Sequence, residues 1–258
     1  MESISSLVAQ LQGCSDKDKA SAAGALWSLA RNDDNKVAIA KAGGIEPLVL
    51  LARNGSDEAK MKAAVALGNL AMNAANQVAI AKAGGIEALV QLARNGSGEG
   101  KKFAAAALEN LAINDDNQVA ITKAGAIEAL VQLARNGSDE GKVQAAGALW
   151  SLARNDDNKV AIAKAGGIEP LVLLARNGSD EAKMKAAVAL GNLAMNAANQ
   201  VAIAKAGGIE ALVQLARNGS GEGKKFAAAA LWNLAVNDDN EVAIAKAGGI
   251  EALVQLAR

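Results

Sequence analysis

The stretch K-A-G-G-I-E-A-L-V-Q-L-A-R-N-G-S, Lys82 to Ser97, decides the fold. Its central phrase, G-[GA]-I-E, recurs with the isoleucine at Ile45, Ile86, Ile127, Ile168, Ile209 and Ile250, always 41 residues apart. A fixed period of this length makes each unit one supersecondary element that cannot bury its own apolar face. The units must therefore stack into a solenoid. Function is then expected on an extended surface rather than in a single pocket.

One unit, Asn73 to Ile113, reads as three helices. Ala74-Ala75-Asn76-Gln77 opens a short helix carrying Val78, Ile80 and Ala81, with Asn76 as its expected N-cap. Gly84-Gly85 closes it, because a residue just past a helix end favours the left-handed region open to glycine. Ile86 to Arg94 forms a second short helix, apolar at Ile86, Leu89, Val90 and Leu92. Pro47 and Pro170 fall in the first turn of this helix in two copies, where a missing N–H costs little. Asn95-Gly96-Ser97 turns the chain, and Ser97 caps a third, alanine-rich helix from about Gly98 to Ala112. The Asn-Gly-Ser triplets at Asn54, Asn95, Asn136, Asn177 and Asn218 also match a glycosylation pattern, but turn plus cap accounts for them.

A larger repeat lies above this one. Residues 22–135 recur at 145–258 with five differences: Glu109/Trp232, Ile113/Val236, Gln118/Glu241, Thr122/Ala245 and Ala126/Gly249. Natural duplications drift further, so the chain reads as engineered or consensus-derived. The units divide as a partial repeat or cap at 1–31, full repeats at 32–72, 73–113, 114–154, 155–195 and 196–236, and a partial repeat at 237–258. All are expected to form a single array over 1–258. The segment from Ile4 to Leu11 is more polar than its counterparts and suits an end cap. The last segment keeps an internal sequence and is expected to expose apolar surface and to self-associate weakly.

Composition removes several functions. The 258 residues hold 27 basic and 27 acidic side chains, so no net charge draws the chain to nucleic acid or an anionic membrane. No apolar run is long enough to span a bilayer, and Met1 to Gln12 lacks the pattern of a signal peptide. Its location is left unknown. Histidine and tyrosine are absent and Cys14 is alone. That removes the commonest general base, the Ser-His-Asp and Cys-His pairs, intramolecular disulfides and cysteine metal sites. Cys14 reads as a leftover or labelling site. No enzyme activity, cofactor or metal is expected, because the carboxylates and lysines recur in every copy and make no asymmetric constellation.

The copies disagree with each other along one stripe of the third helix. At about 100° per residue, the changing positions fall within roughly 120° and the constant ones opposite. The stripe carries Trp27, Ser28 and Arg31; Lys62, Asn69 and Met72; and Lys102, Phe103, Glu109, Asn110 and Ile113. It continues with Trp150, Ser151 and Arg154; Lys185, Asn192 and Met195; and Lys225, Phe226, Trp232, Asn233 and Val236. All three tryptophans and both phenylalanines lie on it. Its basic residues, Arg31, Lys62, Lys102, Arg154, Lys185 and Lys225, face one acid, Glu109. Tryptophan and arginine are enriched at binding hot spots. The alternative is that these positions vary because nothing uses them.

With the phrases KAGGIEALVQLARNGS and AALWNLAVNDDN, the chain closely resembles armadillo repeats, the family of beta-catenin and importin-alpha. The resemblance runs from about Ile4 to Arg258. It implies an all-α, right-handed α-solenoid, or superhelix, whose third helices line a concave groove for an extended peptide or unstructured segment. It also implies that an asparagine on each third helix holds the peptide backbone, here Asn69, Asn110, Asn192 and Asn233. An amide suits that role because it offers both a donor and an acceptor. Ser28 and Ser151 break the series twice. In the importin branch a tryptophan lies one turn before the asparagine, whereas Trp27, Trp150 and Trp232 immediately precede the Asn/Ser position. With Lys and Arg nearby, an acidic or mixed apolar peptide fits better than a nuclear signal. The other reading is a purely structural consensus array with no evolved ligand.

Overall fold

The computed structural model describes residues 3–13 and 15–256. Cys14 and the terminal pair at 257 and 258 lie outside them. The chain divides into two compact units, Met1–Leu130 and Val131–Arg258. Nineteen helices and no strand occur among the described residues. In the first unit they are α1 Ile4–Leu11, α2 Asp16–Leu29, α3 Asp33–Lys41, α4 Ile45–Asn54, α5 Asp57–Leu70, α6 Ala74–Lys82, α7 Gly85–Asn95, α8 Gly98–Leu111 and α9 Asp115–Lys123. The division falls within α10, Ala126–Asn136. The second unit continues with α11 Asp139–Leu152, α12 Asp156–Lys164, α13 Ile168–Asn177, α14 Asp180–Leu193, α15 Ala197–Lys205, α16 Gly208–Asn218, α17 Gly221–Leu234, α18 Asp238–Lys246 and α19 Gly249–Leu256. The fold is an α-solenoid of three-helix repeats. None of the described helices is long and apolar enough to cross a membrane.

Local sequence sets each break. Gly84 adopts φ +76°, and Gly43, Gly125, Gly166, Gly207 and Gly248 repeat that left-handed turn between the first and second helices. Among the described residues no non-glycine takes a positive φ, in keeping with the strain a Cβ meets there. Ser56, Ser97, Ser138, Ser179 and Ser220 cap the third helices through their side-chain oxygens, as expected.

One cap differs from expectation. The first helix is capped by Asn73, whose Oδ1 accepts from the Asn76 N–H at 3.1 Å. Asn76 is buried instead, and its amide donates to the carbonyls of Leu70 and Lys36, both at 3.2 Å. The helix begins three residues earlier than the choice of Asn76 implied, so its second asparagine is free to face inward.

This inward amide answers a general need. The last carbonyls of any helix have no partner within it. Here Asn76 and Gln77 reach the ends of α5 and α8, with Gln77 donating to Ala71 at 2.9 Å and to Asn110 at 3.1 Å. Asn199 and Gln200 do the same for α14 and α17. Lys36 and Lys159 replace that glutamine in two copies and pair with Asp33 and Asp156 at 2.6 Å. Among the described residues no buried side-chain polar atom lacks a partner, as buried polar groups require.

The core is built from leucine, isoleucine and alanine. Ala63, Ala64, Leu67 and Leu70 of α5 are fully buried, as are Ala186, Ala187, Leu190 and Leu193 of α14. The alanines let third helices pack side by side, α5 with α2 and α8, and α14 with α11 and α17. Arginines tie neighbouring repeats together outside this core: Arg94 Nη2 donates to the Gly125 carbonyl at 3.0 Å, and Arg217 to Gly248 at 3.1 Å. In the last repeat, Ile250 is 59% exposed, whereas its counterpart Ile209 is 2% exposed.

Candidate functional site

In each unit the third helices lie next to one another, so their stripes form a face. In the first unit α2, α5 and α8 contribute Trp27, Asn69 and Asn110. In the second, α11, α14 and α17 contribute Trp150, Asn192 and Asn233. The four asparagines are half-buried. Each donates its side-chain N–H to a backbone carbonyl one repeat earlier: Asn69 to Trp27 at 3.3 Å, Asn110 to Gly68 at 3.0 Å, Asn192 to Trp150 at 3.4 Å and Asn233 to Gly191 at 2.9 Å. The amide is thereby fixed in orientation. One N–H is used, and a second N–H and Oδ1 remain.

The serines that break the series behave differently. The Ser28 hydroxyl donates to Gly24 of its own helix at 3.1 Å and is exposed. Ser151 is buried. Neither hydroxyl has the reach of an asparagine amide.

The apolar members fall into two sets. Trp27, Trp150, Phe103 and Phe226 are half-buried. Trp232 is 76% exposed, Met72 63% and Met195 65%, with Ile113 and Val236 exposed beside them. Glu109 stands where the second unit has Trp232 and is half-buried.

Sequence reading placed six cations on the stripe and missed the anions beside four of them. Lys62 pairs with Glu58 at 2.7 Å, Lys102 with Glu99 at 2.7 Å, Lys185 with Glu181 at 3.6 Å and Lys225 with Glu222 at 3.8 Å. The signal was available, since glutamate three or four residues before lysine shares a helix face. The hydrogen bond from Lys62, and then its charge, holds the Glu58 carboxyl below the ordinary range. Lys102 and Lys225 also sit over the rings of Phe103 and Phe226, at 4.5 and 5.2 Å from the centroids. The faces are therefore nearer neutral than the stripe alone implied. Arg31 and Arg154 are exposed at the helix ends.

Such a face offers fixed amides at one-repeat intervals, apolar side chains between them and paired charges at one edge. Its chemistry is hydrogen bonding and apolar contact.

The Armadillo/beta-catenin-like repeat family model matches five consecutive stretches, 32–72, 73–113, 114–154, 155–195 and 196–236. A comparison with curated proteins finds no matching relative. Among solved structures, one engineered protein is similar at 36% identity and a TM-score of 0.86, covering 92% of this chain and 98% of that one. A second engineered protein is similar at 38% identity and a TM-score of 0.92, covering 99% of this chain and 64% of the other. A designed armadillo repeat protein in complex with the peptide (KR)4 is similar at 29% identity and a TM-score of 0.82, covering 90% of this chain and all of that one.

Proposed function

This chain belongs to the Armadillo/beta-catenin-like repeat family, and we propose that it is a designed, non-enzymatic scaffold whose third-helix faces hold an extended peptide. The observation that carries this reading is the pair of oriented amides in each unit, Asn69 with Asn110 and Asn192 with Asn233. An extended peptide presents N–H and C=O groups along its length. The remaining Oδ1 and N–H of each asparagine complement both.

In this reading Trp27, Trp150, Trp232, Met72, Met195, Phe103 and Phe226 contact the ligand's side chains. Ser28, Ser151, Glu109, Arg31, Arg154 and the four lysines flank them. The repeats act as the units 32–72 to 196–236 between partial repeats at 1–31 and 237–258. Similarity to a designed protein in complex with (KR)4 supports a peptide as the class of ligand. For this chain a basic peptide fits poorly, because Arg31 and Arg154 would repel it and Lys62 and Lys102 already satisfy the nearby glutamates. A peptide of apolar and acidic residues fits better.

The test is a random-peptide selection on the protein beside a variant with Asn69, Asn110, Asn192 and Asn233 all changed to Ala. Expected are apolar or acidic sequences held by the parent and lost on the helical variant, and no retention of (KR)4. Selection of lysine- and arginine-rich peptides would overturn the ligand assignment. No enrichment on the folded parent would favour the second reading, a structural array without a ligand. That reading draws on the near-identity of 22–135 and 145–258 and on the similarity to engineered proteins. Exposed Ile250 and Val254 also support weak self-association, and a monomeric mass by light scattering in concentrated solution would count against it.

A further inference from the structure

Five second helices, α4, α7, α10, α13 and α16, close on an Asn-Gly pair: Asn54-Gly55, Asn95-Gly96, Asn136-Gly137, Asn177-Gly178 and Asn218-Gly219. All five asparagines are exposed. Packing fixes the glycine. A Cβ on Gly55 would stand 2.9 Å from the Ala59 Cβ, and one on Gly178 would stand 2.7 Å from the Ala182 Cβ. Every junction thus keeps a carboxamide beside an unhindered backbone nitrogen, and these two groups can react with each other.

The reaction needs only water. The glycine nitrogen attacks Cγ of the asparagine and an N–Cγ bond forms. The carboxamide C–N bond breaks, and ammonia leaves with the proton from the glycine nitrogen. Water then opens the cyclic imide at either carbonyl, giving aspartate or a β-linked aspartate. The fold slows this step at all five places, because each glycine N–H is bonded at 2.9 Å to a helix carbonyl, those of Leu51, Leu92, Leu133, Leu174 and Leu215.

The sites differ in what holds the carboxamide. Asn95 Nδ2 donates to Gln91 Oε1 at 3.2 Å, and Asn136 Nδ2 to Gln132 Oε1 at 3.2 Å. Leu50 and Leu173 occupy the glutamine's place before Asn54 and Asn177, so nothing there restrains the amide. Gln214 precedes Asn218 without bonding it, so that amide is unrestrained as well, but its segment 206–224 has the same sequence as 83–101 around Asn95. We propose that Asn54 and Asn177 are sites of spontaneous deamidation, and that Asn95 and Asn136 are shielded by their glutamines. A new carboxylate there would sit at the negative end of α4 or α13. A β-linked residue would add a methylene to the short link between second and third helices.

The test holds the folded protein in warm, mildly alkaline buffer and then digests it at acidic pH with a protease that cuts after lysine. Segments 42–60 and 165–183 have the same sequence and report Asn54 and Asn177 together, whereas 124–142 reports Asn136 alone. Conversion of the first pair is expected to be roughly two- to tenfold faster, the weight of one hydrogen bond. In Leu50→Gln, segment 42–60 becomes distinguishable. Asn54 should then slow to the rate of Asn136, while Asn177 in the same molecule keeps its rate. In urea-unfolded protein the sites should convert alike. Equal rates in the folded protein overturn the proposal. So does an Asn54 as fast as Asn177 in Leu50→Gln, or a difference that persists on unfolding.

Discussion

Asn110 donates its side-chain amide to the carbonyl of Gly68 across two neighbouring third helices, at 3.0 Å. Gly68 lies in the last turn of α5, where the Met72 N–H turns to the Asn69 carbonyl at 3.2 Å. The asparagine therefore closes the end of its neighbour's helix, besides offering its remaining groups to a ligand. Asn233 repeats the arrangement on Gly191.

Two roles in one side chain make a specific expectation. Asn110→Ala should weaken any peptide and also lower stability by about 1 kcal/mol, the usual contribution of one such bond. Chemical denaturation without peptide measures the second effect alone. An unchanged midpoint would mean that the bond to Gly68 contributes nothing.

Leu67 and Leu190 are fully buried at equivalent places in the two units. Changing either to alanine should cost about 2–5 kcal/mol, and the two losses should be close. Denaturant titration of each variant gives the comparison, and a large inequality would contradict equivalent packing.

Glu109 and Trp232 stand at equivalent places on α8 and α17, whose faces also differ by Ile113 against Val236. Trp232→Glu should lose apolar peptides selected on the parent, and Glu109→Trp should gain them, with neither change altering helix content. Binding titrations of the two variants read this out. If both keep the parent's preferences, the exposed indole at 232 does not choose the ligand.

Lys36 and Lys159 are buried lysines whose ammonium groups bond Asp33 and Asp156. The hydrogen bond, and then the charge, holds both carboxyls below their ordinary range. A depressed folded pKa contributes stability above the unfolded value, which is lost as pH falls through the folded one. Asp33→Asn and Asp156→Asn should therefore melt slightly lower than the parent at neutral pH. The gap should close once the pH falls below the normal aspartate range. A gap that stays constant through acid pH would rule out the linkage.

The sequence by itself determined the helical repeat, because its period, glycine turns and serine caps are local. Gly84 must take the left-handed turn wherever the neighbours lie, and Ser97 can cap only the helix that follows it. The stripe was legible for a similar reason, since helical spacing puts Asn69 and Met72 on one side of α5. What only the tertiary structure decided were contacts between residues about a repeat apart. Asn76 turned from a presumed cap into a buried donor because carbonyls of α5 and α3 converge on it. The ladder asparagines proved to be tied to the preceding helix for the same reason. No local pattern encodes such pairings: which carbonyls lack a partner depends on where each helix ends, and which amide reaches them depends on how closely the alanine faces let the helices approach.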